Sequence, residues 1–235
     1  MPVSELSKIK KELQSLSSQK QAKIAAWFFK TGPGDYGEGD QFIGIKVPVQ
    51  RQAARRFKAL PLKDVEKLLQ SKIHEHRLTA LFILDIQFRE GALAEKKDTV
   101  NLYLRNLKHV NNWDLVDSSA PYLLGEYLQD KPREILYILA TSKDLWQKRV
   151  AMLSTYAFIK KGDFTDALKI AEVLLKDSHD LIHKAVGWML REVGNRDRKT
   201  EERFLRKHSK DMPRTMLRYA IEKFPKSLRE SYMKK

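Results

Sequence analysis

Apolar residues in this 235-residue chain recur three and four positions apart. That is the period of an α-helix, and no comparable stretch alternates as a half-buried strand would. Ile24, Trp27 and Phe28 form one such stripe, and Leu78, Leu81, Phe82 and Asp85 continue a pattern that runs to Phe88. Ala151, Ser154, Thr155 and Phe158 make a small-residue face suited to close helix packing. The 10 glycines and 8 prolines gather at a few points. The chain therefore reads as all-α, about a dozen helices on short connections. Pro48, Pro132 and Pro213 sit where helices can start, because a missing N–H costs nothing in the first turn. Asp163 and Asp180 are placed as N-caps. Lys160-Lys161-Gly162 reads as a helix end, with cations near the last carbonyls and glycine beyond them.

Three segments look alike: Glu75-His76-Arg77-Leu78-Thr79-Ala80-Leu81, Gln147-Lys148-Arg149-Val150-Ala151-Met152-Leu153 and Ile182-His183-Lys184-Ala185-Val186-Gly187-Trp188. Anchored on Arg77, Lys148 and His183 they lie 71 and 35 residues apart. Half of the longer interval, counted back from Lys148, lands on Asn112-Trp113. A period near 35 to 40 residues with two helices per unit is that of HEAT-type solenoids. The expectation is one repeat domain over residues 1–235, with N-terminal helices in 1–30 and a glycine-rich loop at 31–40.

Lys and Arg number 45 against 30 Asp and Glu, a formal net charge of +15. That excess favours a polyanionic partner, foremost nucleic acid. The absence of cysteine excludes disulfides, thiolate metal sites and a thiol nucleophile. Met1-Pro2-Val3-Ser4-Glu5 carries no apolar leader and no stretch is as long as an apolar membrane span, so a cytoplasmic protein is expected. Thr31-Gly32-Pro33-Gly34-Asp35-Tyr36-Gly37-Glu38-Gly39-Asp40 lacks the Lys-Ser/Thr of a phosphate-binding loop, and its three carboxylates would repel phosphate. It reads as a structured connection flanking a cleft. Arg51, Arg55, Arg56 and Lys58 form one basic segment; Arg196, Arg198, Lys199, Arg203, Arg206, Lys207 and Lys210 form another. Each is either a solvated helix face or a contact with phosphates. His179 and His183 lie four apart, and His74 and His76 are neighbours, but no third ligand or His-Glu-x-x-His pattern accompanies them, so no metal is expected.

The stretch Val110-Asn111-Asn112-Trp113-Asp114-Leu115-Val116-Asp117-Ser118-Ser119 places an aromatic and two carboxylates on one helical turn of this basic chain. Trp113 and Asp117, four apart, share a face. Asp114 fits simple charge complementarity at a helix start. Asp117, one turn further in, fits that less well and points to chemistry on a bound molecule. Trp146 with Arg149, and Lys184 with Trp188, fall in the same repeat register. Core packing explains each Trp separately; shared register favours a site around Asp117 that suits a flat, cationic ligand.

Those residues resemble the AlkD-type alkylpurine DNA glycosylases, a DNA alkylation repair family of HEAT-like repeats. The resemblance runs from roughly Trp27 to Phe224. It rests on Trp113-Asp114-Leu115-Val116-Asp117-Ser118, on Leu145-Trp146-Gln147-Lys148-Arg149, on Lys184-Ala185-Val186-Gly187-Trp188-Met189-Leu190-Arg191-Glu192 and on Arg218-Tyr219-Ala220-Ile221-Glu222-Lys223-Phe224. It implies a right-handed superhelical solenoid whose concave basic face binds duplex DNA. It implies that Asp117 is the catalytic carboxylate, that Trp113 and Trp188 flank the sugar and the lesion, and that Arg149 holds the backbone. Lys46, Arg51, Arg55, Lys148, Lys184 and Arg191 are the expected DNA contacts. The implied reaction removes cationic N3- or N7-alkylated purines, leaves an abasic site and uses no cofactor, in a monomer that leaves the lesion in or near the stack. Asn112, where familiar members carry Trp, and a longer Gly32–Gly39 loop are departures. The alternatives are a non-catalytic HEAT-like protein that recognises branched or distorted DNA, and a helical scaffold whose basic face binds acidic proteins.

Overall fold

The free N–H groups of a helix's first turn need acceptors, and the sequence supplies them. The side chains of Ser4, Ser18, Asn112, Asp144 and Asp197 all accept at N-caps. The computed structural model describes Ser4–Lys234, and among those residues the architecture is all-α as expected. The one bridge between extended residues, Gln41 with Ile73, is isolated. The leaderless reading of Met1–Val3 concerns residues outside those described. No described helix is long and apolar enough to cross a membrane. The chain divides into two compact units at Ser119/Ala120.

The first unit holds α1 (Glu5–Ser15), α2 (Gln19–Phe28), α3 (Val47–Arg56), α4 (Leu62–Leu69), α5 (His74–Glu90), α6 (Leu93–Arg105) and α7 (Trp113–Asp117). Helix α5 is its axis. Its first eleven residues are buried on all sides, and it is packed by α3, α4, α6 and α7. An apolar-all-round helix belongs in a core, but the first turn of α5 is polar, with His74, Glu75, His76 and Arg77 buried as well. Those groups must find partners, and they find them in the segment that follows the glycine-rich loop. Both Glu75 carboxylate oxygens face the backbone N–H groups there, accepting from Ile43 (3.1 Å), Gly44 (2.7 Å) and Ile45 (3.3 Å). Gly44, at φ +82°, lies so close to α2 that a Cβ would come within 2.1 Å of the Ser18 carbonyl oxygen.

The second unit holds α8 (Glu134–Ala140), α9 (Leu145–Ser154), α10 (Tyr156–Ile159), α11 (Thr165–Val173), α12 (Asp180–Gly194), α13 (Arg198–His208), α14 (Arg214–Ala220) and α15 (Lys226–Met233). Its axis is α12, packed by α9, α11, α13 and α14. A Cβ on Gly187 would lie 2.4 Å from the Met216 carbonyl oxygen, so glycine sets how closely α14 approaches. Ala151, Ser154, Thr155 and Phe158 are buried, as a close-packing face requires.

Several boundary readings hold and others shift. Pro48 lies in the first turn of α3, Pro213 is the residue before α14, and Pro132 precedes α8. Gly162, at φ +82°, follows the end of α10. Asp180 is the first residue of α12 and not its cap. His179 caps instead, its Nδ1 accepting from the Leu181 N–H at 3.1 Å. Phe164 holds the cap position of α11, and Asp163 accepts from the Thr165 N–H at 3.1 Å from one residue further out.

Candidate active site

Helix α7 is five residues long, too short to hold itself together, so side chains fix both its ends. The fully buried Asn112 caps it by accepting from the Trp113 N–H at 2.8 Å, and its amide donates to Asp40 at 3.3 Å. Leu115 and Val116 are fully buried. The Ser119 hydroxyl donates to the Leu115 carbonyl (2.6 Å) and lies in hydrogen-bond contact with the buried Tyr103 hydroxyl (3.1 Å). Burial raises the Tyr103 pKa, and the negative charge of Asp117 pushes in the same direction. Asp117 is half-buried at the end of this turn.

Trp113 is set by aromatic packing. Its ring stacks on Phe29 (centroids 5.3 Å, 23°) and meets the edge of Phe28 (5.9 Å, 70°). Phe29 stacks in turn on Phe42 at 5.1 Å. Helix α2, which carries Phe28, buries none of its residues. Its apolar stripe is real, but it faces outward: Trp27 is 81% exposed, Phe28 53% and Ile24 50%. Periodicity gives a helix and its stripe, not what covers the stripe. Beside α2 is a cavity of about 220 Å³ with walls that include Phe28, Phe29, Phe42, Lys46 and Asp114.

Under α7 runs a line of alternating charges. Asp114 accepts from the Leu115 N–H (2.9 Å) with one oxygen and from His74 Nε2 (2.8 Å) with the other. His74 Nδ1 donates to Asp40 (2.8 Å), whose second oxygen takes the Arg77 guanidinium. Arg77 also donates to the carbonyls of Ser71 and Lys72. Burial alone would drive His74 neutral, but the Asp114 and Asp40 carboxylates outweigh it and raise its pKa to about 9. Asp40 is buried too, yet His74 and Arg77 hold its pKa below the ordinary value. His76, two residues on, has no carboxylate partner among the described residues and meets the Ser71 hydroxyl instead. Burial, with Lys10 and Arg77 nearby, lowers it to about 4.

In the second unit, Asp144 caps α9 through the Trp146 (2.8 Å) and Gln147 (2.9 Å) N–H groups. Arg149 is 5% exposed and donates to the Leu181 carbonyl at 2.6 Å, which ties α9 to the start of α12. Trp188 is half-buried and its indole N–H donates to Glu192 at 3.3 Å. Trp113 and Asp117 thus belong to the first unit, and Arg149 and Trp188 to the second.

A family model described as DNA alkylation repair enzyme matches residues 9–224. The chain belongs to that family. Solved structures agree at the level of fold. A predicted DNA alkylation repair enzyme from Enterococcus faecalis superposes with a TM-score of 0.70 at 16% identity, covering 89% of this chain and 97% of that one. The crystal structure of smu.31 from Streptococcus mutans UA159 gives 0.52 at 16% identity, covering 92% and 95%. No curated protein matches the sequence. Membership in a DNA repair family makes DNA the substrate, and the expected phosphate contacts divide into two kinds. Lys46, Arg51 and Arg55 are exposed; Arg51 lies over the Phe82 ring at 4.0 Å. Lys148, Lys184 and Arg191 are ion-paired with Asp177, Asp180 and Glu222. Within the two basic stretches, Arg56, Lys58, Arg196, Arg198, Arg206 and Lys207 are paired with carboxylates of the protein as well. Such cations must trade an internal carboxylate for a phosphate, so sequence alone overstates the charge they offer.

The sequence reading missed the roles of His74, Asp40 and Phe29. Nothing in local spacing announces them, because Asp40, His74 and Asp114 are 34 and 40 residues apart in turn.

Proposed function

We propose that this family member is a monofunctional DNA glycosylase that hydrolyses the N-glycosidic bond of N3- or N7-alkylated purines in duplex DNA. The observation that carries the reading is α7, with a half-buried Asp117 one turn from a Trp113 fixed by stacking. Purines alkylated at N3 or N7 are cationic, so the base leaves with the bonding electron pair as a neutral molecule and needs no strong acid. Positive charge then develops on the sugar. An ionised Asp117 stabilises that oxocarbenium-like transition state and orients the water whose oxygen bonds to C1′, its proton passing to the carboxylate or to solvent. A carboxylate about 4 Å from the developing charge, at an effective dielectric near 20, contributes on the order of 4 kcal/mol. That corresponds to roughly a thousandfold in rate.

In this reading Trp113 and Trp188 flank the sugar and the lesion, and Arg149 holds the backbone. Lys46, Arg51, Arg55, Lys148, Lys184 and Arg191 contact phosphates on the concave basic face of a HEAT-like solenoid. One copy of the chain, in the cytoplasm, acts without a cofactor. Release of 7-methylguanine from methylated duplex DNA by the wild type and by Asp117→Asn is the test. The wild type is expected to release the base and the variant to be slower by roughly a thousandfold. No release by the wild type would sink the reading. Salt-sensitive binding of branched or distorted DNA without release would put a non-catalytic recognition protein in its place.

A further inference from the structure

An imidazole with a carboxylate oxygen at 2.8 Å from each ring nitrogen can satisfy both only by donating from both, which makes it an imidazolium. His74 is 2% exposed and its ring is packed by Phe29 (centroids 5.0 Å) and Phe42 (4.5 Å). It therefore has no freedom to turn away from either partner. One of those partners, Asp114, lies on α7 three residues before Asp117. The other, Asp40, ends the glycine-rich loop and also takes the amide of Asn112, the residue that caps α7.

We propose that His74 is a positioning residue: it clamps Asp114 to Asp40, locking α7 to the end of the glycine-rich loop and so setting where Asp117 is held. The proposal rests on the glycosylase reading for its effect on the reaction, but the clamp itself is a property of this chain.

Asn112, Leu115 and Val116 hold α7 down, and the stacked Trp113 ring anchors its first turn. The Asp114–His74 bond adds a charged anchor on that turn, tying the Asp114 side chain through His74 to Asp40 of the loop. A carboxylate that must both face the developing charge and aim a water at C1′ depends on its placement, and a misplacement of about 1 Å can cost on the order of a hundredfold in rate. The charged groups around His74 are Asp40 from the loop, Asp114 from α7, and Glu75 and Arg77 from α5 itself. Glu75 is held by backbone N–H groups and so does not compete for the imidazolium, while Arg77 takes the Asp40 oxygen that His74 leaves free.

The experiment compares the full-length wild type with His74→Gln and Asp114→Asn in two measurements. Single-turnover base release is read against affinity for undamaged duplex, and amide exchange is followed in peptides covering residues 110–118 and 36–43. The expected result is a tenfold to hundredfold fall in the single-turnover rate, with duplex affinity within about twofold. Exchange should be faster in both peptides and unchanged over α12. A rate that falls only in proportion to affinity overturns the proposal, as does wild-type exchange in both peptides. If His74→Gln does not fold, Asp114→Asn removes the charge of the same contact from its less buried end and decides alone. If the wild type releases no base, the glycosylase reading fails separately, and amide exchange still decides the clamp.

Discussion

Each unit buries a titratable side chain beside the N-terminal part of a helix, and the two resolve that burial in opposite ways. In the first unit His74 meets a carboxylate at each nitrogen and is charged, its pKa raised to about 9. In the second unit Glu201, 1% exposed, packs its carboxyl onto Gly194, so close that a Cβ there would lie 1.6 Å from it. One of its oxygens has no hydrogen-bond partner. Burial raises its pKa to about 8, against the opposing charges of Arg198 and Arg191, so it is mostly neutral at pH 7. Burial is the largest influence on both, and the partner decides which form survives it. The first unit spends charge to fix a site; the second sheds it to close a core.

The largest expected effect breaks the first half of this contrast. Asp40→Ala leaves His74 and Arg77 as buried cations short of a carboxylate, and should lower unfolding stability by about 3–5 kcal/mol in urea at pH 7. The pH dependence carries the sign. The His74 contribution is complete below its unfolded value of 6.5 and is lost as pH rises through about 9. The stability gap between wild type and Asp40→Ala should therefore narrow from pH 7 to pH 10. A constant gap would mean that His74 is not charged.

A smaller effect of opposite sign tests the second half. Glu201 is protonated in the fold up to about pH 8 but ionises near 4.5 when unfolded, so stability falls as pH rises between those values. Glu201→Gln removes that penalty. It should raise stability at pH 8 by roughly 1–3 kcal/mol and by much less at pH 4.5, read from thermal melting at both pH values. Destabilisation at pH 8 would show that the carboxyl is ionised and paired.

The smallest effect concerns the outward stripe of α2. Trp27→Ala should change unfolding stability by less than about 0.5 kcal/mol, because a side chain that is 81% exposed holds no core together. A loss of several kcal/mol in chemical denaturation would mean that the stripe is covered in the folded protein.

Helical period, scarce glycine and proline, and capping residues made the all-α fold legible, and the small-residue face at Ala151 to Phe158 was read correctly. The family was legible in ordered motifs around Trp113, Arg149 and Trp188. Cap positions near Asp180 and Asp163 slipped by a residue, because a neutral imidazole and a carboxylate one residue further out can serve the same N–H groups. The Trp27 stripe was legible as helical but not as exposed. The basic stretches were legible as charge but not as charge already spent on Glu192, Glu202 and Glu172.

By itself the sequence determined where helices form and which turn carries the acid and the aromatic, since both follow from neighbours a few residues apart. Only the tertiary structure decided that His74 is charged while His76, two residues on and lowered to about 4, is neutral. The two share a helix turn, a residue type and burial. They differ in which carboxylates, from 34 and 40 residues away, lie within 3 Å. A local pattern cannot encode that distance, and electrostatic energy depends on little else.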